Sequence, residues 1–432
     1  MENVTTPSNM EKVTAPSKKR WIMVCILLLT LLVAYVDRVN VSILMADPAF
    51  LTDMGIKGDP VAMGLLMSSF LAAYGLGNVF LSPLGDILGP RKAMSLSILL
   101  WCMALFIGGL AGTFAMMIGA RIILGVGEAM HWPMQSKYVK NWFPPTERGK
   151  ANSIWIFGLF IGPALAMPFF TWVIQGLGWR MSFFILVLIG LVPLSLIWLM
   201  TKDHPREHKG VNKLELDYIE KGLAAETESE VQMEKTSVWE NMKLFIFNYR
   251  FWLLTIFYFC NASVWWGTMA WLPSYLKVAR GFSWGAMGAM SSLPYVLGAI
   301  AVLAFGYLSD KVGRRAPFAA LSMFGAALGI YYGAHAPDNM TAAILISLGI
   351  ASLGLGLPST WSLLQQIVPG KTIGAGAGMM NGIANGGAAL APIFIGSLIA
   401  SSGGSYIAGL MYLVTLGVVG GLCMCILSYQ KY

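Results

Sequence analysis

The chain has 432 residues, of which 56% are hydrophobic and only 12% charged, with a formal net charge of +8. Soluble globular domains carry charge on about a quarter of their residues, so these proportions exclude a soluble enzyme and imply an all-α polytopic membrane protein. At ~20 apolar residues per crossing, the length holds about twelve transmembrane helices and leaves no room for a large extramembrane domain.

Residues 1–20 are polar, with Lys12, Lys18, Lys19 and Arg20 among them. No signal-peptide cleavage pattern precedes Trp21, so the first apolar segment is expected to stay in place as an anchor. That segment, 21–44, contains Tyr35-Val36-Asp37-Arg38-Val39-Asn40. With a rise of ~1.5 Å per residue, Asp37 lies roughly 24 Å along from Trp21, inside a hydrocarbon layer ~30 Å thick. An ionised side chain at that depth costs ~2.5 to 3.5 kcal/mol on insertion scales, so two in succession need partners, water or a task. Such residues mark substrate or ion pathways more often than they merely fix helix register.

A short loop with Asp47, Asp53 and Asp59 follows, and apolar segments at about 61–83, 93–112, 114–138, 151–176 and 181–200 complete six crossings. Between 201 and 248 the composition turns charged, as expected of a central linker that holds a surface helix or two but buries no core. Six more apolar segments lie at about 251–276, 285–307, 318–335, 341–368, 372–400 and 406–429. The expected organisation is a tail (1–20), a six-helix bundle (21–200), a linker (201–248), a second six-helix bundle (249–429) and a short tail (430–432).

Basic residues collect at both ends, at 91–92, 137–150, in the linker and at 311–315, whereas the opposite loops have few beyond Arg180, Lys277 and Arg280. The positive-inside rule then places both termini in the cytoplasm and accounts for the charge without nucleic acid. The five cysteines all lie in apolar segments and read as small buried side chains, neither disulfides nor metal ligands. No cofactor or metal is expected, and no nucleophile motif appears.

The second half repeats the first. Gly306-Tyr307-Leu308-Ser309-Asp310-Lys311-Val312-Gly313-Arg314-Arg315 stands where Ser82-Pro83-Leu84-Gly85-Asp86-Ile87-Leu88-Gly89-Pro90-Arg91-Lys92 stands in the first. This implies two pseudosymmetric bundles with a transport site between them. An Asp in such a loop (Asp86, Asp310) can cap a neighbouring helix and pair with the basic cluster (Arg91, Arg314), gating one side.

These loops resemble the G-x-x-x-D-R-x-G-R-R/K signature of the major facilitator superfamily, and the resemblance covers essentially the whole chain. The second copy has Lys311 in place of Arg; the first departs at Ser82, Ile87 and Pro90. The first-segment stretch 35–40, Arg121 through Glu128 to Pro133, Asn141-Trp142-Phe143-Pro144-Pro145-Thr146-Glu147-Arg148, and Trp271-Leu272-Pro273-Ser274-Tyr275-Leu276 look like the anion:cation symporter family. Its bacterial members take up sugar acids such as galactonate, glucarate and hexuronates. The resemblance implies a proton-coupled symporter in the bacterial inner membrane. It also implies Asp37 and Glu128 as protonated groups, Arg38 as the anion's anchor, and Thr360, Trp361, Asn381 and Asn385 as contacts to substrate hydroxyls, with Tyr35 and Tyr74 in the same role from the first half.

Residue spacing adds detail. Arg121, Gly125, Glu128 and His131 share one helix face, with Arg121 ~10 Å and Glu128 ~21 Å along the helix from Phe114. Asp37 reaches the depth of Arg121, so an Asp37–Arg121 pair is expected, with Arg38 facing Glu128 or a bound anion. A carboxyl's proton affinity depends on whether an Arg stands beside it, and a movement that separates the two couples protonation to conformation. His131 reads either as a relay or as a hydrogen-bonded core residue. Gly374, Gly378, Gly382 and Gly386 form a stripe expected to admit a neighbouring helix closely. Gly158-Leu159-Phe160-Ile161-Gly162-Pro163 begins the superfamily's antiporter motif without its later glycines, which favours symport.

The expected partners are a small organic anion, protons and membrane lipid, for a carrier that works as a monomer. The alternatives are a symporter for an aromatic or other small carboxylate, and a membrane solute sensor that does not transport.

Overall fold

The computed structural model describes residues 16–231, 243, 245–312, 314–368 and 373–430, and every regular element among them is helical. Among the described residues, eleven helices are long and apolar enough to cross a membrane. The expected crossing at 251–276 is present as the 26-residue helix Tyr249–Ser274; its interspersed Trp, Tyr and Asn side chains dilute an otherwise apolar run. We number the crossings in chain order. The first six are Lys19–Leu44, Pro60–Leu88, Pro90–Gly109, Phe114–Trp142, Pro145–Leu177 and Trp179–Met200. The last six are Tyr249–Ser274, Trp284–Val312, Ala316–His335, Asn339–Ile367, Ile373–Ala388 continued by Ala391–Ser401, and Tyr406–Tyr429.

Polar residues at the segment ends fix where these helices start. Asp59 accepts from the Ala62 backbone N–H, Thr113 from Met116, Asn248 from Arg250 and Asp338 from Thr341, each satisfying a donor that a helix start leaves unpaired. The acidic loop after the first crossing is used in the same way. Asp47 caps the short helix Pro48–Asp53, and Asp53 accepts from Arg180 at 2.7 Å and from the Trp179 indole at 3.0 Å.

With crossings alternating in direction, both described ends of the chain lie on one side, here called the terminal face; the other is the far face. Within the first half the second crossing packs on the fourth, the third on the fourth and sixth, and the first on the fifth. The second half packs its ninth crossing on the tenth and twelfth and its eighth on the tenth. The halves meet where the second crossing lies along the eleventh, the fifth along the eighth, and the first along the seventh.

The arginines after the two repeated loops end alike. An Arg91 terminal nitrogen donates to the Trp198 carbonyl, and an Arg314 terminal nitrogen to the Ser428 carbonyl at 2.6 Å, each near the end of the last crossing in its own half.

The seam between halves is closed on the far face. A Cβ at Gly396 would lie 2.2 Å from the Pro60 carbonyl oxygen, and one at Gly64 would lie 2.5 Å from that of Pro392. Midway along these two crossings, a Cβ at Gly75 would stand 3.9 Å from Gly386 Cα. Toward the terminal face, Gly378 and Gly382 would meet nothing within 4 Å. The stripe expected to admit a close neighbour therefore borders open space, because the halves diverge on this side; the side chain position of Gly374 lies outside the described residues.

The linker does more than the charged composition implied. Its helix Lys213–Val231 docks on the first half through Glu215, which is fully buried. That carboxylate accepts from the backbone N–H groups of Lys19 (2.9 Å) and Arg20 (3.2 Å), capping the first crossing from 195 residues away, and from an Arg20 terminal nitrogen at 2.8 Å.

Candidate functional site

The fourth crossing breaks at Ala129–Met130, between Phe114–Glu128 and His131–Trp142, so Glu128 ends its upper segment at mid-depth. Asn78 of the second crossing donates to the Ala129 carbonyl at 3.1 Å and satisfies one acceptor freed by the break. Close packing of these crossings needs Gly125, where a Cβ would fall 2.4 Å from the Phe70 carbonyl oxygen.

Against this break lies the first crossing's Asp37-Arg38 pair. Arg38 Nε donates to Glu128 Oε2 at 2.9 Å, and a terminal Arg38 nitrogen donates to the same oxygen. Both residues are buried, Arg38 at 4% and Glu128 at 1% exposure. Four aromatic rings surround the Arg38 guanidinium, with centroids at 4.6 Å (Tyr35), 5.1 Å (Tyr74), 5.3 Å (Phe70) and 5.5 Å (Trp266). A cation held between ring faces without water gains from each ring's quadrupole.

Asp37, at 1% exposure, has no N–H or O–H donor on either oxygen. Its carboxyl faces that of Glu128, whose Oε1 is also without a donor. Two facing carboxyls can bond each other only when one of them holds a proton.

The expected Asp37–Arg121 ion pair is not formed. Arg121 is buried within reach of Asp37's charge, but its Nε donates to the Leu66 carbonyl at 3.1 Å and its guanidinium lies 4.6 Å from the Phe70 ring. Counting helix rise places the two Cα atoms at one depth; it does not say where a long Arg stem turns. The other expectation, Arg38 facing Glu128, describes what is seen.

Across the seam, Trp266 of the seventh crossing stacks on Tyr35 at 6.3 Å with 12° between planes, and its indole N–H donates to Asn385 Oδ1 at 3.4 Å. Asn385 Nδ2 in turn donates to Asn381 Oδ1 at 2.9 Å, which also accepts from the Tyr258 hydroxyl at 3.3 Å. Trp361 is edge-on to Tyr258 at 5.8 Å and is exposed. Thr360 stands apart, buried with its hydroxyl bonded to the Gly356 carbonyl of its own helix at 2.8 Å. Of the expected site residues, the structure thus gathers Asp37, Arg38, Glu128, Arg121, Tyr35 and Tyr74 in one cluster, with Asn381, Asn385 and Trp361 beside it. Sequence reasoning missed Trp266, Tyr258 and Asn78; only their polar tips among apolar neighbours marked them.

At the gating loops, the side chains of Asp86 and Asp310 lie outside the described residues. The acid seen at the first loop is Asp203, whose carboxylate accepts from the Arg91 backbone N–H at 2.6 Å.

The sequence matches the Major Facilitator Superfamily model over residues 27–392. It is 30% identical to a probable sulfoacetate transporter of Cupriavidus necator over 89% of each chain. It is 28% identical to the D-galactonate transporter of Escherichia coli O6:H1, covering 94% of this chain and 95% of that one, so the resemblance to sugar-acid carriers read from the motifs is borne out. The fold superposes on the inward-open xylose transporter XylE of E. coli with a TM-score of 0.74 at 15% identity, over 93% of this chain and 95% of that one. Two six-helix halves meeting at a buried charged cluster, and a family match across most of the length, make this chain a multi-pass membrane transporter that belongs to the Major Facilitator Superfamily.

Proposed function

We propose that the protein is a proton-coupled symporter that imports a sugar acid (an aldonate, aldarate or hexuronate) by alternating access. The observation that carries this reading is the Arg38–Glu128 pair at the seam, with both carboxyls of the Asp37/Glu128 couple short of donors. When Glu128 takes a proton it loses its charge, and Arg38, which stays charged, is free to take a substrate carboxylate as a bidentate partner. Loading the proton and loading the acid then become one exchange of partners. Arg121 supplies a second positive charge, so the cluster is neutral with both carboxyls ionised and carries one net positive charge when one is protonated, the state that favours an incoming anion.

Asn381, Asn385 and Trp361 offer amide and indole groups to hydroxyls, the pattern a polyhydroxylated acid needs beside a single charged anchor. The relative named for D-galactonate supports this class. The relative named for sulfoacetate, with the aromatic rings around Arg38, supports a second reading, a small carboxylate with a second anionic or aromatic end.

With the basic terminal face on the cytoplasmic side of a bacterial inner membrane, the open side of the seam is the inward one. The bundles 21–200 and 249–429 then move against each other around the site, joined by the linker 201–248, as a monomer in lipid. Counterflow of radiolabelled D-galactonate, D-glucarate, D-glucuronate, sulfoacetate and a hydroxybenzoate in proteoliposomes tests the substrate. Exchange of a sugar acid is expected; exchange of sulfoacetate or hydroxybenzoate with no competition from any sugar acid overturns the first reading for the second.

A further inference from the structure

We propose that the proton leaving the Asp37/Glu128 couple travels inside the first half, down one face of the fourth crossing past His131, Gln135 and Tyr138 to the terminal face, and not through the opening between the halves. This rests on the proton coupling proposed above.

Positions 131, 135 and 138 are spaced by four and three residues on the segment His131–Trp142, which keeps them on one helix face, and Glu128 closes the segment just before the break. At 1.5 Å per residue, neighbours stand roughly 4.5 to 6 Å apart along the axis, a gap one water bridges. All four residues are buried, and each carries a polar atom without a protein partner: Glu128 Oε1, His131 Nε2, Gln135 Oε1 and the Tyr138 hydroxyl. Buried polar atoms are almost always paired, with protein or with ordered water. Four successive unpaired atoms along one crossing describe a hydrated line better than four separate lapses of packing.

The line has two distinct ends. Inside, His131 lies edge-on to Trp101 at 5.5 Å and is close enough to Arg38 to feel its charge. Midway, Gln135 is anchored by its Nε2, which donates to the Leu27 carbonyl of the first crossing at 2.8 Å. Outside, the Tyr138 hydroxyl approaches Thr201 and the Lys202 backbone, with Asp203 and Arg91 as the nearest charges, where the sixth crossing meets the linker.

Toward the second half, Glu128 is held by Arg38, which cannot give up its charge, and Arg38 is in turn ringed by Tyr35, Tyr74 and Trp266. A hydrated proton crossing there would pass a fixed cation.

The step is a transfer without a co-reactant. A carboxyl O–H bond breaks, the carboxylate left behind holds Arg38, and a proton is delivered to water at the terminal face. His131 and Tyr138 can take and give a proton in turn, while the Gln135 amide only orients a water.

Gln135→Leu and Tyr138→Phe test the route in proteoliposomes loaded with a pH-sensitive dye, with D-galactonate as the probe. Acidification on adding D-galactonate is expected to slow about tenfold, the rate equivalent of one lost hydrogen-bonded link. Counterflow of D-galactonate, which needs no proton release, is expected to stay at the wild-type rate. Unchanged acidification, or equal loss of acidification and counterflow, overturns the route. A second measurement needs no transported acid: after a pH jump, the infrared C=O band of the protonated carboxyls is expected to rise more slowly in Gln135→Leu than in wild type, and equal rates overturn the route. Wild-type protein that carries D-galactonate without any acidification overturns proton coupling itself, a different result.

Discussion

Arg38 gives two of its N–H groups to one oxygen of Glu128 and leaves the other oxygen of that carboxylate without a donor. A buried Arg and carboxylate joined on one side only are held together and yet ready to part, because the free oxygen can take a proton without any bond being broken first. Glu128→Gln removes the negative partner and leaves the guanidinium buried. Breaking such a pair costs about 3 to 5 kcal/mol, offset here in part by the four surrounding rings. The expected outcome is a lower melting temperature, loss of proton-driven accumulation and retained counterflow. Proton-driven accumulation at the wild-type level in Glu128→Gln would remove Glu128 from the coupling scheme.

Arg38→Ala and Arg38→Lys separate charge from shape. A lysine keeps the charge but cannot offer two parallel donors to a carboxylate. Both variants are expected to lose substrate binding in calorimetry on purified protein, Arg38→Lys included. Binding by Arg38→Lys at wild-type affinity would mean that charge alone holds the anion.

Trp266 belongs to the second half, and it touches Arg38 and Tyr35 of the first while donating to Asn385 of its own. Trp266→Phe keeps a ring against Tyr35 and removes the donor. A neutral hydrogen bond of this kind contributes about 1 kcal/mol, so KM for the transported acid is expected to change about fivefold or less, with Vmax nearly constant. Trp266→Ala also removes the stacked surface and is expected to lower Vmax. Wild-type kinetics in both variants would show that neither the stack on Tyr35 nor the bond to Asn385 matters to transport.

Much of this was readable before the structure. Asp37, Arg38 and Glu128 were legible because ionisable residues stand out in apolar segments and helix rise fixes their depth. What failed was whatever depends on the last bonds of a side chain or on the state of the seam. Arg121 turns to the Leu66 carbonyl instead of Asp37, and the Gly378 and Gly382 face borders a gap in this conformation although its smoothness suits close packing. The Glu215 cap on the first crossing joins residues 195 apart, and no local pattern announces it.

The far-face closure is tight enough to be wedged. Gly396→Val places atoms on the Pro60 carbonyl oxygen, which a bare Cβ would already approach to 2.2 Å. Overpacking of this order costs about 1 to 3 kcal/mol in a fixed structure, and parting the halves on that side relieves it. Spin labels at the far ends of the second and eleventh crossings are expected to show a longer distance population in Gly396→Val than in wild type. An unchanged distance distribution in a folded variant would mean that the seam is not what holds the far face shut.

The Glu215 dock gives the linker a pH dependence with a definite sign. Burial pushes its carboxyl up, but hydrogen bonds from Ser17, the Lys19 and Arg20 backbones and the Arg20 side chain outweigh this and hold it below the ordinary glutamate value of 4.5. A carboxyl held low in the folded state contributes stability that is fully present above about pH 4.5 and lost as pH falls through its lowered value. Charge-assisted hydrogen bonds contribute about 1.5 to 3 kcal/mol each, so Glu215→Gln is expected to speed hydrogen exchange about tenfold or more at 16–20 and 213–224 at pH 7. Wild-type protein is expected to show the same loosening only in acid, as pH falls through the lowered Glu215 value. Should the wild-type segments stay protected in acid while Glu215→Gln exchanges freely at pH 7, the amide substitution would be acting through packing, and the carboxylate charge would not be what holds the linker to the first half.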